Sequence, residues 1–216
     1  MHADRAAPSL GEAIQEWLDS LRALEVRALV VLGPASADDV QARALWAVHP
    51  GSYRPSGEAF AASNVYGSAW RATASPAMAW QNIADDDAAG WKATLADQRI
   101  RALVRTDIAM PFGAGFECVA FVGRHLGRPE AFEIGWALAN AWPTLKDDVI
   151  ATRFGLTRRM REVLRVLAEG LTAEAAAQRL GMKERTVGYH LNVVMERLNA
   201  RNRAAAILRA CILGIL

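Results

Sequence analysis

Apolar residues near the start of the chain recur first at helical spacing and then in short runs. Pro8–Leu24 carries its apolar side chains three and four positions apart, which predicts an amphipathic helix with Ser9 as its cap. Val26–Leu32 is an apolar run closed by Gly33-Pro34, the pattern of a buried strand. Ala42–Val48 predicts a second strand. The chain therefore opens as a helix followed by sheet.

The middle of the chain predicts two more helices and a hairpin. Helices are expected over Pro55–Ser63 and Lys92–Leu103. Val104–Met110 and Phe116–Val122 are strand patterns joined by a glycine-rich connection, which predicts an antiparallel hairpin. In the second strand one face carries Phe116, Cys118, Ala120 and Val122, and the other carries Glu117, Val119 and Phe121.

A helical pattern then begins at Arg128 and extends towards residue 150. Pro143 should disturb it, because proline has no amide donor. A linker is expected near Ile150–Gly155. Strands and helices mixed in this way predict an α+β fold, an antiparallel sheet with helices packed on it, over residues 1–150.

Residues 156–216 have a purely helical pattern. A first helix carries a buried stripe that ends at Gly170, and its members are Leu156, Val163, Leu164 and Leu167. A short alanine-rich helix, Ala173–Leu180, is followed by a tight turn at Gly181-Met182 and by a longer helix from about Glu184. Two helices joined by a short glycine turn form a helix-turn-helix, expected here over residues 173–192.

The second helix of that pair has distinct faces when its residues are placed 100° apart. Its core face consists of Val187, Leu191, Val194 and Leu198, and its outer face of Arg185, Tyr189, Asn192 and Glu196. Arg185 is predicted to contact guanine and Asn192 adenine in the major groove. Thr186, His190 and Arg197 share a flank that suits phosphates. The alternative is that this surface is only solvated.

Charge is distributed unevenly along the 216 residues. From residue 151 onward there are 12 Lys and Arg against five Glu, a net charge of +7, whereas the preceding part has a net charge of −5. All seven tryptophans lie between Trp17 and Trp142. A basic module joined to an acidic, aromatic-rich domain is typical of a nucleic-acid-binding protein with a separate sensing domain.

The stretch from Leu156-Thr157 to Asn202-Arg203 resembles the C-terminal domain of LuxR/FixJ-type regulators. The matching positions include Glu162-Val163-Leu164, Ala168-Glu169-Gly170, Leu180-Gly181, Glu184-Arg185-Thr186-Val187, His190 and Leu198. The resemblance implies a four-helix domain over residues 156–216 that binds double-stranded DNA. Its last helix, Ala204–Leu213, would be a dimerisation surface, although ordinary burial explains its apolar residues equally well. Symmetric pairing would favour a palindromic site.

Two departures from the family pattern fall on the recognition helix. Lys183 stands where the family has a capping Ser, at a cost of about 1 kcal/mol. Lys183 still adds positive charge near the DNA. Gly188 stands where the family has a Lys, which removes a phosphate contact and costs about 1 kcal/mol of helix propensity. DNA binding is therefore expected to be weak or to depend on a partner.

Residues 1–150 more thinly resemble the acyl-homoserine-lactone-binding domain of quorum-sensing LuxR regulators. The resemblance is carried by Ser75-Pro76-Ala77-Met78-Ala79-Trp80 and by the hairpin Thr106–Gly123. It implies an α/β/α sandwich in which Trp80 donates its indole N–H to the lactone and Tyr53 or Tyr66 holds the amide carbonyl. Ordinary core packing is the alternative for each aromatic residue, and the preferred one for Trp17, Trp46 and Trp136.

The same region departs from the family where an Asp-Pro pair is usual. Here the stretch reads Ala62-Ser63-Asn64-Val65-Tyr66, so that Asn64 or Ser63 would replace the carboxylate as a weaker acceptor. The ligand is thus an acyl-homoserine lactone, another small hydrophobic signal, or absent. A phosphorylation receiver is disfavoured because Asp85-Asp86-Asp87 falls in a predicted loop rather than after the first strand.

These patterns predict a cytoplasmic LuxR-type transcriptional regulator that forms dimers with itself or a related regulator. No cofactor, metal site or membrane segment is expected, since Cys118 and Cys211 lack ligand spacing and no apolar run is long enough. The alternative is a ligand-independent anti-activator that forms inactive dimers with a homologue. A third hypothesis is an enzyme. It is not favoured, because its only candidate residues are Glu117, Cys118 and His125, which lie near one another in sequence.

Overall fold

A computed structural model describes residues 10–40, 42–63, 78–84, 90–110 and 115–216. The N-terminal part contains α1 (Leu10–Ser20), β1 (Val26–Pro34), β2 (Arg43–His49), α2 (Arg54–Ala62), β3 (Met78–Asn82), α3 (Trp91–Asp97), β4 (Ala102–Ala109), β5 (Gly115–Val122) and α4 (Arg128–Phe154). Short 3₁₀ turns lie at Arg22–Leu24 and Gly51–Tyr53. The C-terminal part contains α5 (Arg158–Ala168), α6 (Ala173–Leu180), α7 (Glu184–Arg197) and α8 (Arg203–Ile212).

The strands form one antiparallel sheet in the order β2-β1-β5-β4-β3. The central strands are buried on both faces, because helices cover both sides. On one face Val31, Val104 and Cys118 join the apolar cluster beneath α1 and α4. On the other face Val30 and Phe121 join a cluster with residues from α2 and α3. The predicted α/β/α sandwich with a C-terminal helical domain is confirmed.

Several predicted elements match closely, and two need correction. The helix predicted over Lys92–Leu103 was too long, since α3 ends at Asp97 and Ala102 and Leu103 belong to β4. Arg99 has φ of +55°, which ends the helical path. Leu103 packs on the α2/α3 face while Ala102 packs on the opposite face, so sheet burial on both sides determines the strand.

The second correction concerns the predicted linker at Ile150–Gly155. Helix α4 passes through Pro143 and continues to Phe154, so residues 150–154 are helical. Ile150 is buried, and the Phe154 ring lies 5.4 Å from the Trp46 ring in an edge-on contact. These contacts stabilise the last turns of α4. Gly155, with φ of +64°, ends the helix.

The C-terminal helices pack against the N-terminal part. Leu213 and Ile215 belong to the apolar cluster beneath α1 and α4, and Gly214 lies against the side chain of Met110. Both carboxylate oxygens of Asp38 accept hydrogen bonds from Nη2 of Arg209 on α8, at 2.9 and 2.8 Å. Among the described residues, no helix is both long and apolar enough to cross a membrane.

Candidate nucleic-acid interface

Three of the four C-terminal helices begin with a side-chain cap. Thr157 accepts a hydrogen bond from the Met160 amide, Thr172 from the Ala175 amide, and Asn202 from the Ala205 amide. Such caps satisfy amides that have no partner within the helix. Lys183 precedes α7 in an extended conformation, and its side chain makes no capping bond. Helix α7 therefore lacks the stabilisation that its neighbours have.

The turn between α6 and α7 is built on Gly181. This residue is left-handed, with φ of +61°, and the Met182 amide donates to the Ala177 carbonyl at 2.9 Å. Ala176 and Ala177 are buried in a cluster with Val187 of α7. Small side chains on α6 thus let α7 pack closely across it. The predicted helix-turn-helix geometry is present.

Helix α7 has an apolar inner face and a polar outer face, as the placement of its residues 100° apart predicts. Val187, Val194 and Leu198 are buried. Arg185 and Asn192 are exposed, and the Tyr189 side chain is 63% exposed. The outer face is therefore free to meet a base edge, and the individual base contacts stay predictions.

The flank predicted to bind phosphates is more varied. Thr186 and His190 are half-buried, and Nδ1 of His190 is buried without a hydrogen-bond partner among the described residues. Nη1 of Arg197 donates to Sδ of Met160 at 3.6 Å. The same nitrogen lies close to Gly155, since a Cβ added to that glycine would be 3.2 Å from it. The Arg197 guanidinium thus lies over the junction of the two domains. Lys183 is exposed at the start of α7.

Two of the predicted ligand residues, Tyr53 and Trp80, lie on opposite faces of the sheet. Tyr53 packs against the cluster on the α2/α3 face of the sheet. Trp80 pairs with Val104 across the ladder and faces α4 on the other side, where its ring lies 6.2 Å from that of Phe132. Asn64 and Tyr66 lie outside the described residues. Trp136, expected in the core, is instead 65% exposed on α4.

A buried ionic cluster on the α2/α3 face was missed by sequence reasoning. Glu117 pairs with Arg105 at 3.3 Å and with Arg43 at 3.2 Å, and Arg105 also pairs with Asp107 at 2.7 Å. The Arg43 guanidinium lies 4.9 Å from the centre of the Phe60 ring. The sequence did carry a signal for this cluster, namely the alternation of side chains along the strands. Arg105 and Glu117 occupy inward positions of otherwise apolar strands.

The residues of the enzyme hypothesis are separated. Glu117 belongs to the ionic cluster, whereas Cys118 points to the opposite face of the sheet. Burial, together with the carboxylates of Asp107 and Glu117, raises the pKa of Cys118 well above its ordinary value. One ring nitrogen of His125 is 3.0 Å from the Ile83 carbonyl. No base therefore activates the thiol within the described residues, where no metal-binding cluster occurs either.

Family comparison agrees with the helical geometry. Residues 155–210 match the model of the bacterial regulatory proteins, luxR family. This segment is a LuxR-family helix-turn-helix domain. The chain is 44% identical over 72 residues to the transcriptional activator protein AnoR of Acinetobacter nosocomialis, which is 32% of this chain and 30% of AnoR.

A second curated regulator is similar over a stretch of comparable length. The transcriptional regulatory protein DesR of Bacillus subtilis is 35% identical over 68 residues, 32% of this chain and 34% of DesR. These matches span about a third of each relative. Escherichia coli SdiA is similar in structure over 98% of this chain and 93% of its own, with 21% identity and a TM-score of 0.47.

Proposed function

We propose that this chain is a LuxR-type transcriptional regulator that binds double-stranded DNA through α7. The proposal is carried by the exposed outer face of α7, with Arg185, Tyr189 and Asn192, on a LuxR-family helix-turn-helix domain. The net charge of +7 from residue 151 onward supports attraction to phosphates. Residues 1–150 form the sensing and dimerisation domain in this proposal, and residues 156–216 the DNA-binding domain.

The proposed signal is an acyl-homoserine lactone or another small hydrophobic molecule bound by the N-terminal domain. The stretch Ser75-Pro76-Ala77-Met78-Ala79-Trp80 supports this part of the proposal, because it resembles the pocket segment of lactone-binding LuxR regulators. A dimer, with itself or with a related regulator, would place two copies of α7 on a palindromic site. The protein acts in the cytoplasm and catalyses no reaction in this proposal.

Binding to DNA selected from a random duplex library by the full-length protein tests the function. Arg185→Ala should weaken binding to the selected sequence by about 5- to 150-fold and relax base preference at one position. Arg22→Ala is the matched control, because it removes an exposed positive charge from the N-terminal domain, far along the chain from α7. Failure to select any sequence, or equal effects of the two variants, would contradict the proposal.

Arg197→Ala separates phosphate contact from packing. A phosphate contact predicts uniform weakening across sequences and a salt slope lower by about 0.9. A role at the domain junction, which the Met160 contact supports, predicts lower stability with an unchanged slope.

The anti-activator is the second candidate, and the uncapped start of α7 favours it. A protein of this kind would select no DNA alone. It would still dissociate a homologous regulator from that regulator's site when the two are mixed.

A further inference from the structure

Helix α4 carries an apolar stripe on its solvent side. Phe132 is 38% exposed and Trp136 is 65% exposed, and Ala139 and Pro143 are exposed as well. These four residues follow one another at steps of four, three and four positions, which is the spacing of a coiled-coil seam. The Phe132 ring also lies 6.2 Å from the ring of Trp80 on the edge strand β3, so the apolar surface is contiguous. Such a surface marks a site of contact with another molecule.

A hollow lies directly beside the stripe. A cavity of about 610 Å³ opens between α4 and the strands β3 and β4, and its helix side is lined by Phe132, Gly135, Trp136 and Ala139. Gly135 lies directly against the side chain of Met78, which also lines the cavity, so that a side chain at position 135 would collide with it. The same surface therefore carries a protruding indole ring and a hollow large enough to receive one.

The hollow lies where a second, parallel copy of α4 would require it. In a parallel pair of helices, each seam side chain enters a hole formed by four residues of the facing helix. For a side chain at position 136, these are residues 132, 135, 136 and 139 of the other copy, the same four that line the cavity. Trp136 of each copy can thus enter the cavity of the other. A surface that carries both knob and hole fits a two-fold symmetric dimer.

The charged residues that flank the stripe favour parallel pairing. Arg128 lies on one flank, with its guanidinium 5.4 Å from the centre of the Phe132 ring, and exposed Glu133 lies on the other flank. In a parallel pair opposite flanks meet, which places Arg128 of each copy beside Glu133 of the other. In an antiparallel pair like flanks meet. Arg128 would then face the flank of Lys146, which lies 18 residues or five full turns along the same side of α4.

We propose that α4 pairs in parallel with α4 of a second copy and that Trp136 of each copy fills the cavity of the other. This pairing gives a geometry to the dimer of the proposed function, and it rests on that proposal. Parallel helices place both Phe154 ends of α4 on the same side of the dimer, and the C-terminal domains follow from these ends. Two copies of α7 can then reach one duplex, as a palindromic site requires.

Analytical ultracentrifugation of the full-length protein measures the dimer. Trp136→Ala should raise the dimer dissociation constant by about 30-fold or more, as expected for an aromatic residue at the centre of an interface. Tyr189→Ala is the matched control, because Tyr189 is 63% exposed but lies on α7, and it should leave the constant unchanged. A monomeric parent would overturn the proposal. A dimer that Trp136→Ala leaves intact would also overturn it, since the cavity would then be open to another occupant such as a small apolar molecule.

Charge reversal tests the direction of pairing. Arg128→Glu and Glu133→Arg should each weaken the dimer by about 2- to 30-fold, the range expected for two exposed ion pairs related by symmetry. Mixing the two variants should restore the parent affinity, because both ion pairs re-form in the heterodimer with reversed charges. Variants that remain weak when mixed would overturn the parallel arrangement.

Disulfide cross-linking tests the register. Position 139 lies on the seam and faces its own counterpart in a parallel pair, so Ala139→Cys should give a covalent dimer under a mild oxidant. Cys211→Ser removes the half-exposed native thiol from this experiment, and Cys118 is buried. Thr144→Cys is the control, because position 144 is exposed but lies about 80° around the helix from Trp136. Equal cross-linking of the two variants, or none at position 139, would overturn the proposal.

None of these measurements contains DNA, so dimer geometry and DNA binding fail separately. A monomer that still selects a DNA sequence would overturn the pairing of α4 and leave DNA binding by α7 in place. A dimer with the expected response to Trp136→Ala that selects no DNA would support the pairing and contradict the proposed function.

Discussion

Gly188 on α7 offers a quantitative test of how the recognition helix works. A Cβ built at this position meets no atom within 4 Å, and the residue lies inside a regular helix. Glycine in a helix interior destabilises by about 0.5–1 kcal/mol relative to alanine. Because the space is open, Gly188→Ala should recover that amount in the free energy of unfolding without a steric penalty.

Gly188→Lys adds a charge to the same backbone effect. Position 188 lies about 40° around the helix from Asn192, close to the predicted reading face. One new phosphate contact should steepen the dependence of log affinity on log salt by about 0.9. Between about 200 and 50 mM salt, the affinity of the lysine variant should therefore rise about 3.5-fold more than that of the alanine variant.

Urea unfolding and fluorescence anisotropy with labelled duplex DNA measure the two effects separately. The alanine variant is the control for the lysine variant, since both restrict the backbone and only one adds charge. Equal salt slopes for the two variants would refute the placement of residue 188 beside the DNA backbone. An alanine variant no more stable than the parent would refute the claim that open space surrounds Gly188.

Three further predictions concern stability and reactivity. Glu117→Ala should destabilise by about 3–5 kcal/mol in urea unfolding, because it removes the carboxylate that buried Arg105 and Arg43 share; a change below about 1 kcal/mol would contradict the ionic cluster. Lys183→Ser should raise stability by about 0.5–2 kcal/mol by capping α7, and an unchanged midpoint would contradict this. Cys118, buried and with a raised pKa, should resist a thiol reagent in the folded protein while half-exposed Cys211 reacts first; simultaneous labelling would contradict the assignment.

Local patterns predicted most of the fold because each element carries its own periodicity. The helices on either side of Gly181 were placed within a residue, since caps, a left-handed glycine and a buried stripe all agree. The stretch around Ala102–Leu103 failed for a physical reason. A strand buried on both faces is continuously apolar, and such a run has no period that separates strand from helix.

The site was less accessible to sequence reasoning because it depends on distant partners. Arg105 and Glu117 are 12 residues apart and become neighbours only through the β4–β5 ladder. Trp136 is a large aromatic residue of the kind usually found in a core. Only the orientation of α4 relative to the sheet leaves it exposed. Pro143 predicts a break, yet packing on both sides of it keeps α4 continuous.

Helix α4 joins the two functional regions proposed for this chain. Its middle residues, including Trp142, line the cavity, and its last residue, Phe154, packs on Trp46. About 20 Å of helix separates Trp142 from Gly155, where the Arg197 guanidinium of α7 lies. The positive φ of Gly155 lets the chain turn sharply between α4 and the C-terminal helices.

The burial of α8 limits which of its faces a second copy of the chain could reach. Ala206 and Ala210 are buried within the protein itself, whereas the Leu208 side chain is 51% exposed. A second copy can thus reach the Leu208 side of α8 directly, whereas the Ala206 and Ala210 side is closed to it. The Arg209–Asp38 pair is largely exposed and contributes at most about 1 kcal/mol to the contact between α8 and the N-terminal domain. Burial of Leu213 and Ile215, which follow α8, in the cluster beneath α1 and α4 is the apolar part of that contact.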